Sequence, residues 1–246
     1  MSVLGVDVSR WQGVIDWPRL AAQGVKWAAM RASVGSYYTD RTFEYNFDQA
    51  TAAGILPFAY HVVNPNNPVK DQLTRYRLSL DGRKPVMTVI DAELSGSVSN
   101  ISLRRRYVWF FRDGRDDRDF GSQWIMYTNA SFAETHLKNG YQGFLWSENI
   151  PLWIASYGPN DGTRPPTPPY PTLPYQWDKW LAWQYTDKGK LDGVGSTNID
   201  LDLMDLTFYN NLRSRSGIPE RGGETPPVAP PTEPATVLPP GLYIVR

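Results

Sequence analysis

Two carboxylates one residue apart, Asp91 and Glu93, close the apolar stretch PVMTVIDAEL at residues 85–94. Side chains on a strand alternate between its two faces, so residues i and i+2 point the same way, about 6.6 Å apart along the strand. We therefore expect both acids to face one site. Two like charges at that distance disfavour joint ionisation, and partial burial raises the pKa of the less solvated carboxyl. One carboxyl can then stay protonated near neutral pH while its neighbour is anionic.

An acid beside a carboxylate is what cleavage of a glycosidic bond requires. The acid protonates the leaving oxygen, and the negative group stabilises the positive charge that develops at the sugar ring. A separation near ~6 Å lies between the ~5 to 5.5 Å of double-displacement enzymes and the ~6.5 to 9.5 Å of inverting enzymes, so it does not settle the stereochemistry. It leaves room for an acetamido group of the substrate to act as the nucleophile. A metal-binding pair or a solvated strand end would present the same two residues.

Composition excludes several other functions. Lys plus Arg and Asp plus Glu number 25 each, so no net basic charge draws the chain to nucleic acid or to an anionic membrane. The chain has no Cys and two widely separated His, His61 and His136, which excludes Cys nucleophiles and predicts no metal site. No stretch approaches the ~18 to 20 apolar residues that a membrane-spanning helix needs. We also expect no export signal, because the opening MSVLGVDVSRW has no basic leader.

Short β-rich runs recur along the chain and at first alternate with helical patterns. The runs are residues 2–8, 25–31, 55–61, 85–91, 123–128, 151–156, 180–185 and, more weakly, 197–201. Helical patterns lie between the early runs, at residues 16–24, 42–54, 69–82 and 101–114. Near-continuous apolar strands that alternate with helices predict an α/β fold.

The pattern changes after residue 140. Residues 158–178 are too rich in Pro for a helix between parallel strands, so we expect the last strands to be joined by loops and not all to run parallel. The predicted fold is therefore an irregular, flattened TIM-like (β/α) barrel. A helix at residues 203–213 would close a catalytic domain of residues 1–214. Residues 215–246 are predicted to be a disordered, Pro-rich linker or tail.

Polar residues occur at the C-terminal end of almost every predicted strand. In a β/α barrel the active site is built from these ends and from the loops that follow them. The ends carry Asp7, Arg31, His61, Asp91 with Glu93, Tyr127 with Asn129, Ser156 with Tyr157, Gln184 with Tyr185, and Asp200. Strands normally exit into polar loops, but the acids in this set favour one lined pocket.

An ordered set of motifs resembles glycoside hydrolase family 25, the Chalaropsis-type lysozymes (muramidases) common among phage endolysins. The set comprises GVDVSRWQG at residues 5–13, residues 30–65, VIDAEL at 89–94, YTN at 127–129, LWIASYG at 152–158 and residues 181–202. The resemblance covers roughly residues 3–212. It implies a bacteriolytic hydrolase that cleaves the β-1,4 bond between N-acetylmuramic acid and N-acetylglucosamine in peptidoglycan, without a cofactor.

The resemblance also implies roles for individual residues by motif position. Glu93 would be the general acid, and Asp91 its partner that steadies the reacting acetamido group or the cationic ring. Asp7 and Asp200 would be the family's other two acids, which rim the pocket and hold substrate or tune Glu93. The residues expected to line the saccharide groove, with the two Trp as stacking platforms, are Tyr60, Tyr127, Gln184, Trp11 and Trp183.

Two motifs depart from the family's pattern. Where many members have a Ser-Glu-Gly turn after the second strand, this chain has Ser33-Val34-Gly35, which alters a groove contact and none of the four acids. Where the family often has Asp-x-Asn, this chain offers Asp200 and Asp202. We assign the site role to Asp200 by register, with Asp202 as the alternative.

Three functions are compared. The first is a muramidase acting on peptidoglycan glycan strands. It would be either a phage endolysin, made in the host cytoplasm and released to the wall, or an extracellular enzyme. Its tail would be a candidate connection to a further wall-binding module or partner. The second is a wall-binding module with weak turnover, against which the four acids argue. The third is another acetamido-sugar glycosidase, such as a chitinase, although the D-x-x-D-x-D-x-E signature is missing.

Overall fold

The structure, a computed structural model, describes residues 1–165 and 171–219, and a closed β-barrel lies at its centre. Its strands are β1 (Ser2–Val8), β2 (Trp27–Val34), β3 (Tyr38–Thr39), β4 (Leu56–Val62), β5 (Met87–Asp91), β6 (Gln123–Asn129), β7 (Leu152–Ala155), β8 (Ala182–Gly189) and β9 (Ile199–Asp205). The sheet order is β1-β9-β8-β7-β6-β5-β4-β2-β3, and β1 also pairs with β2. Eight strands therefore close into a barrel, and β3 lies beside β2. This confirms the predicted α/β barrel.

Helices pack around the barrel between successive strands. They are α1 (Trp17–Ala22), α2 (Phe43–Ala52), α3 (Val69–Leu80), α4 (Asn100–Arg115), α5 (Ala130–Phe132), α6 (Trp146–Asn149) and α7 (Leu206–Ser216), with a 3-10 turn at Arg10–Gln12 and a π-helical turn at Ala133–Leu137. A side-chain cap sets the start of the first helix, α1. Asp16 accepts a hydrogen bond from the backbone N–H of Arg19 at 3.1 Å, and Pro18 stands in the first turn of α1.

The strand directions explain why the barrel is irregular. Strands β1, β2 and β4 to β8 run parallel, whereas β9 is antiparallel to both of its neighbours, β8 and β1. The described parts of residues 156–181 contain no helix between β7 and β8. The expectation of loop-joined, partly antiparallel last strands is confirmed. Because β9 runs in the opposite direction, its N-terminal end lies at the same barrel mouth as the C-terminal ends of the others.

The closing helix begins later than the sequence pattern predicts. Residues 203–205 belong to β9, and α7 starts at Leu206 because the side chain of Asp205 caps the backbone N–H of Phe208 at 2.9 Å. The helix ends at Gly217, whose φ of 68° is the left-handed conformation that glycine adopts freely. The division into a domain of residues 1–214 and a linker of residues 215–246 remains a prediction, and the tail from residue 220 onward lies outside the described residues.

The core forms two layers, one between the strands and the helices and one inside the barrel. Inside the barrel, the indole of Trp27 stacks on Phe58 with ring centroids 5.2 Å apart and meets Trp153 edge-on at 5.4 Å. A Cβ atom at Gly5 would collide with the Trp27 indole, so glycine at this position lets the ring fill the interior. This aromatic layer forms the floor beneath the barrel mouth. Across the described ranges, none of the helices combines the length and apolarity needed to cross a membrane.

Candidate active site

Asp91 is the last residue of β5, and Glu93 follows two residues later. Asp91 is 6% exposed and pairs in register with Tyr127 of β6, whereas Glu93 is half-buried. The N–H of Ala92 donates to the carbonyl of Tyr127 at 2.8 Å, which continues the pairing beyond the end of the strand. The segment that carries the two acids is thus held against β6.

Tyr127 lies within electrostatic reach of three of the predicted acids. Burial raises the pKa of this phenol well above its ordinary value, and the charges of Glu93, Tyr157, Asp7 and Asp91 raise it further. Asp91 also pairs in register with Tyr127, and Gln184 connects the Tyr127 hydroxyl to Asp7 through hydrogen bonds. The acids of β1 and of the segment at the end of β5 therefore lie at the same mouth of the barrel.

A second buried phenol, Tyr107 of α4, supports the segment from the helical side. Its hydroxyl donates to the carbonyl of Leu94, the residue after Glu93, at 3.0 Å. Burial, followed by the charges of Asp91 and Glu93, raises the pKa of Tyr107 well above its ordinary value. Helix α4 thus fixes the backbone just beyond the predicted proton donor.

Gln184 of β8 connects the two sides of the mouth. Its Oε1 accepts hydrogen bonds from the hydroxyls of Tyr127 at 2.9 Å and Tyr157 at 2.6 Å. Its Nε2 donates to Oδ2 of Asp7 at 2.6 Å and, at 3.4 Å, to Oδ2 of Asp200. The orientation of the amide is settled by these partners, because the reverse orientation would turn its oxygen toward two carboxylates.

Strands β1 and β9 bring three acids together. Asp7 pairs in register with Asp200, and Gly5 pairs with Asp202, so both acids of β9 lie on its inner face. All three carboxyls are buried, with Asp202 fully so. Trp153 Nε1 donates to Asp202 Oδ1 at 3.0 Å. Burial, followed by the charges of Asp7 and Asp200, raises the pKa of Asp202 well above its ordinary value.

The predicted groove residues differ in their positions. Tyr60, near the end of β4, is 7% exposed and packs on the inner face of the barrel. Trp11, on the turn after β1, is 60% exposed, and the guanidinium of Arg10 lies 4.3 Å from its ring centroid. Val34, at the position where the resemblance leads us to expect an acidic residue, is buried in the same inner cluster as Tyr60.

Trp183 lies on the opposite side of β8 from Gln184. The indole is 7% exposed and packs in the outer layer of the core, where its Nε1 donates to the carbonyl of Ser156 at 2.7 Å. Adjacent residues on a strand face opposite sides, so the inward position of Gln184 turns Trp183 outward. The structure thus places Trp183 in the outer layer of the core and not among the other predicted site residues.

Three residues at the site were assigned no role from the sequence: Tyr157 was named only as a strand-end residue, Asp202 only as the alternative to Asp200, and Trp153 not at all. Tyr157 follows the strand run at residues 151–156, so its position at a strand end was the signal for it. Asp202 shares a strand face with Asp200, which i and i+2 spacing indicates. Trp153 gave no sequence signal, because an indole inside a barrel looks like any other core aromatic. Among residues 1–165 and 171–219, no group of three His, Asp or Glu side chains is arranged to hold a metal ion.

Carboxyl groups gathered at one mouth of the barrel, above an aromatic floor, are typical of the active site of a β/α-barrel enzyme. Residues 6–194 match the family described as glycosyl hydrolases family 25. The chain belongs to this family and is a glycoside hydrolase.

Similar proteins include both curated relatives and solved structures. Lysozyme M1 of Streptomyces globisporus is 29% identical over 205 residues, which are 78% of this chain and 64% of that protein. A bacterial lysozyme from Streptomyces coelicolor has a TM-score of 0.71 at 26% identity, covering 88% of this chain and 99% of that chain. The catalytic domain of endolysin ply40, from a Listeria monocytogenes bacteriophage, shares the fold with a TM-score of 0.66 at 21% identity, covering 87% and 98%.

Proposed function

We propose that this chain is a lysozyme, an N-acetylmuramidase that hydrolyses the β-1,4 bond between N-acetylmuramic acid and N-acetylglucosamine in peptidoglycan. The observation that carries the proposal is the half-buried Glu93 beside the buried Asp91, on one segment at the mouth of a family 25 barrel. The lysozymes among its relatives support the same substrate.

Glu93 is the proposed general acid, because its position in the family motif gives it that role and its half-buried carboxyl can reach a bound glycan, whereas Asp91 is buried. In the first step its proton passes to the glycosidic oxygen, and the bond from that oxygen to the anomeric carbon breaks. The acetamido oxygen of the muramic residue bonds to the same carbon while Asp91 stabilises the positive charge that develops. In the second step water attacks the anomeric carbon, the bond from this carbon to the acetamido oxygen breaks, and Glu93 takes a proton from the attacking water.

Asp7 and Asp200 are proposed to form the acidic wall opposite Glu93. Gln184 holds Asp7 from one side, so this carboxylate has a fixed position and a hydrogen-bonded charge. A fixed negative charge near the anomeric carbon stabilises an oxocarbenium-like transition state without reorganisation. Tyr60 and the exposed Trp11 are proposed to contact the sugar faces.

The test compares Glu93→Gln with Asp91→Asn on purified peptidoglycan. Both variants keep the shape of the side chain, so the fold should survive. We expect Glu93→Gln to lose nearly all lytic activity, with general acid catalysis worth roughly 10²- to 10⁴-fold. We expect Asp91→Asn to lose activity and still bind the glycan. Full lysis by Glu93→Gln would contradict the assignment of the acid.

The chemistry of the new reducing ends separates the candidate functions. Muramic acid ends support the muramidase, glucosamine ends indicate a glucosaminidase, and an absence of new ends indicates a wall-binding module. We propose the cell wall as the place of action. Release as an endolysin, and a further wall-binding partner joined through residues 215–246, remain predictions.

A further inference from the structure

Asp202 is the most deeply buried carboxyl at the barrel mouth, and the proposed mechanism does not use it. Its Oδ1 accepts the indole N–H of Trp153 at 3.0 Å. Its Oδ2 is buried and meets no N–H or O–H donor within the described residues. Asp7 lies diagonally opposite Asp202 on the same face of the β1–β9 pair, because Asp7 pairs with Asp200 and Gly5 pairs with Asp202. Two buried carboxyls this close disfavour joint ionisation, and a proton on one of them would let it donate a hydrogen bond to the other.

The surroundings decide which group holds the proton. Asp7 accepts a hydrogen bond from Nε2 of Gln184 at 2.6 Å, and such a bond favours the anion. Asp202 is fully buried, which favours the neutral acid. We therefore place the proton on Asp202 and the negative charge on Asp7.

The groups that face Asp202 from the neighbouring elements favour the same assignment. They are Asp7 of β1, Asp200 of its own strand, Tyr157 after β7 and Tyr185 of β8. Each of these groups is neutral or negative, so none of them stabilises a charge on Asp202. The indole N–H of Trp153 does favour the anion, and complete burial of the carboxyl outweighs it. Arg164 acts on the phenol of Tyr185 and is not among the groups that act on Asp202.

We propose that Asp202 is a positioning residue of the active site, a neutral carboxylic acid that donates a hydrogen bond to Asp7 and fixes it as the anion of the acidic wall. The proposal rests on the proposed lysozyme function. Loss of this proton, as the pH rises through the raised pKa of Asp202, turns the donor into an acceptor and adds a second charge beside Asp7. The hydrogen bonds from Asp7 through Gln184 must then rearrange, and lytic activity falls.

The first test measures lysis of purified peptidoglycan from pH 4 to 10 with Asp202→Asn and Asp202→Leu. Asparagine can accept from Trp153 and donate to Asp7, but it does not titrate. We expect Asp202→Leu, which lacks the donor, to lose roughly tenfold or more at the pH values where the wild type keeps this proton. Asp202→Asn should recover most of that loss and should move the alkaline limb of the profile upward. An alkaline limb identical to that of the wild type would overturn the role of Asp202.

The second test needs no substrate and measures unfolding in urea. A folded pKa above the ordinary 3.8 gives stability that is fully present below about pH 3.8 and is lost as the pH rises toward the folded value. From pH 4 to 7 the unfolding constant of the wild type should therefore rise relative to Asp202→Asn, by up to about tenfold per pH unit. A constant ratio would show that Asp202 is ionised in the fold and would overturn the proposal. If the wild type shows this pH dependence of unfolding but cleaves no peptidoglycan, the result contradicts the proposed lysozyme function and not the role of Asp202.

Discussion

At the scale of single residues, one amide side chain organises the mouth of the barrel. Gln184 accepts from two phenols and donates toward two carboxylates, so each end of the amide has partners of the matching kind. The two phenols nevertheless differ in their surroundings. Tyr157 is 41% exposed, whereas Tyr127 also faces Glu93. Comparing the two phenols can therefore separate an effect through the hydrogen bond to Gln184 from an effect on Glu93.

We predict that Tyr157→Phe lowers lytic activity by roughly 2- to 10-fold, the effect of one neutral hydrogen bond. Tyr127→Phe should lower it further and should shift the pH dependence of lysis, because its hydroxyl adjoins the charge of Glu93 as well as Gln184. Initial rates on purified peptidoglycan at several pH values measure both effects. Equal losses and identical pH profiles would show that the hydroxyl of Tyr127 acts only through Gln184.

Residue spacing could predict which side chains share a face and could not predict which strands meet. The alternation of a strand already separates Trp183 from Gln184, and it places Asp200 and Asp202 together. Nothing in the sequence shows that β9 runs antiparallel beside β1, which is what sets Asp200 opposite Asp7. The contact of Asp202 with Asp7 depends on that pairing, so it became visible only in the structure.

At the scale of secondary structure elements, helix α4 supports the acid-bearing segment through one hydroxyl. Tyr107 donates to Leu94 at 3.0 Å, immediately after Glu93. Helix α3 supplies a control, because the buried hydroxyl of Tyr76 donates to the carbonyl of Ala59 at 3.2 Å and contacts Thr88 at 3.2 Å. Both phenols link a helix to the barrel, but of the two only Tyr107 is affected by the charges of Asp91 and Glu93.

We predict that Tyr107→Phe and Tyr76→Phe each lower the free energy of unfolding by about 1 kcal/mol, because each removes a buried hydroxyl and its hydrogen bond. Only Tyr107→Phe should also lower kcat, since it frees the backbone that carries Glu93. Urea unfolding and steady-state lysis measure the two effects. Similar kcat values for both variants would argue against a role of α4 in positioning the acid.

The turn after β1 is connected to β2 by a buried ion pair. Asp40 accepts from Nε of Arg31 at 2.7 Å and from the backbone N–H of Arg10 at 3.2 Å, and its carboxylate is inaccessible to solvent. Arg83 and Asp48 form a comparable pair at 2.8 Å, with the Asp48 side chain 51% exposed.

We predict that Asp40→Asn lowers the free energy of unfolding by about 3 kcal/mol, because it leaves the buried guanidinium of Arg31 without its counter-charge. Asp48→Asn should cost at most about 1 kcal/mol, since water screens the exposed pair. Urea unfolding at pH 7 compares them. Equal costs would mean that burial does not set the strength of the Asp40 contact.

At the scale of the whole molecule, the sequence could predict a barrel and the irregular strand connections in its last third. It could not predict which strands pair to close the barrel. Apolar runs and interrupting helices indicate parallel strands, and the Pro-rich stretch at residues 158–178 indicates loops. Closure depends on β1 pairing with both β2 and β9, which is a long-range choice. The same ambiguity shifted the start of α7, because LMDL fits a strand as well as a helix until Asp205 caps the helix.

The stability of the whole fold should depend on pH through His61, which lies outside the barrel wall under α4. Its Nδ1 lies 2.8 Å from Oγ of Ser33, its Nε2 lies 3.2 Å from Oε1 of Gln72, and its ring stacks on Phe110 with centroids 4.8 Å apart. Burial lowers the pKa of His61 from 6.5 to about 4, with the hydrogen bond to Gln72 acting in the opposite direction.

Between about pH 6.5 and about pH 4 the unfolded chain therefore binds a proton at His61 that the folded chain does not bind. We predict that acidification through this window lowers the free energy of unfolding by up to roughly 3 kcal/mol through His61. Asp202 changes the free energy of unfolding in the opposite direction over this pH range, so the wild type must be compared with His61→Gln. In that variant the His61 contribution to the pH dependence of stability disappears, whatever the substitution costs at pH 7. Urea unfolding at pH 7, 5.5 and 4.5 measures it, with His136→Gln as the control that removes the other imidazole of the chain. Equal slopes for the wild type and His61→Gln would mean that the buried ring is protonated without loss of the fold.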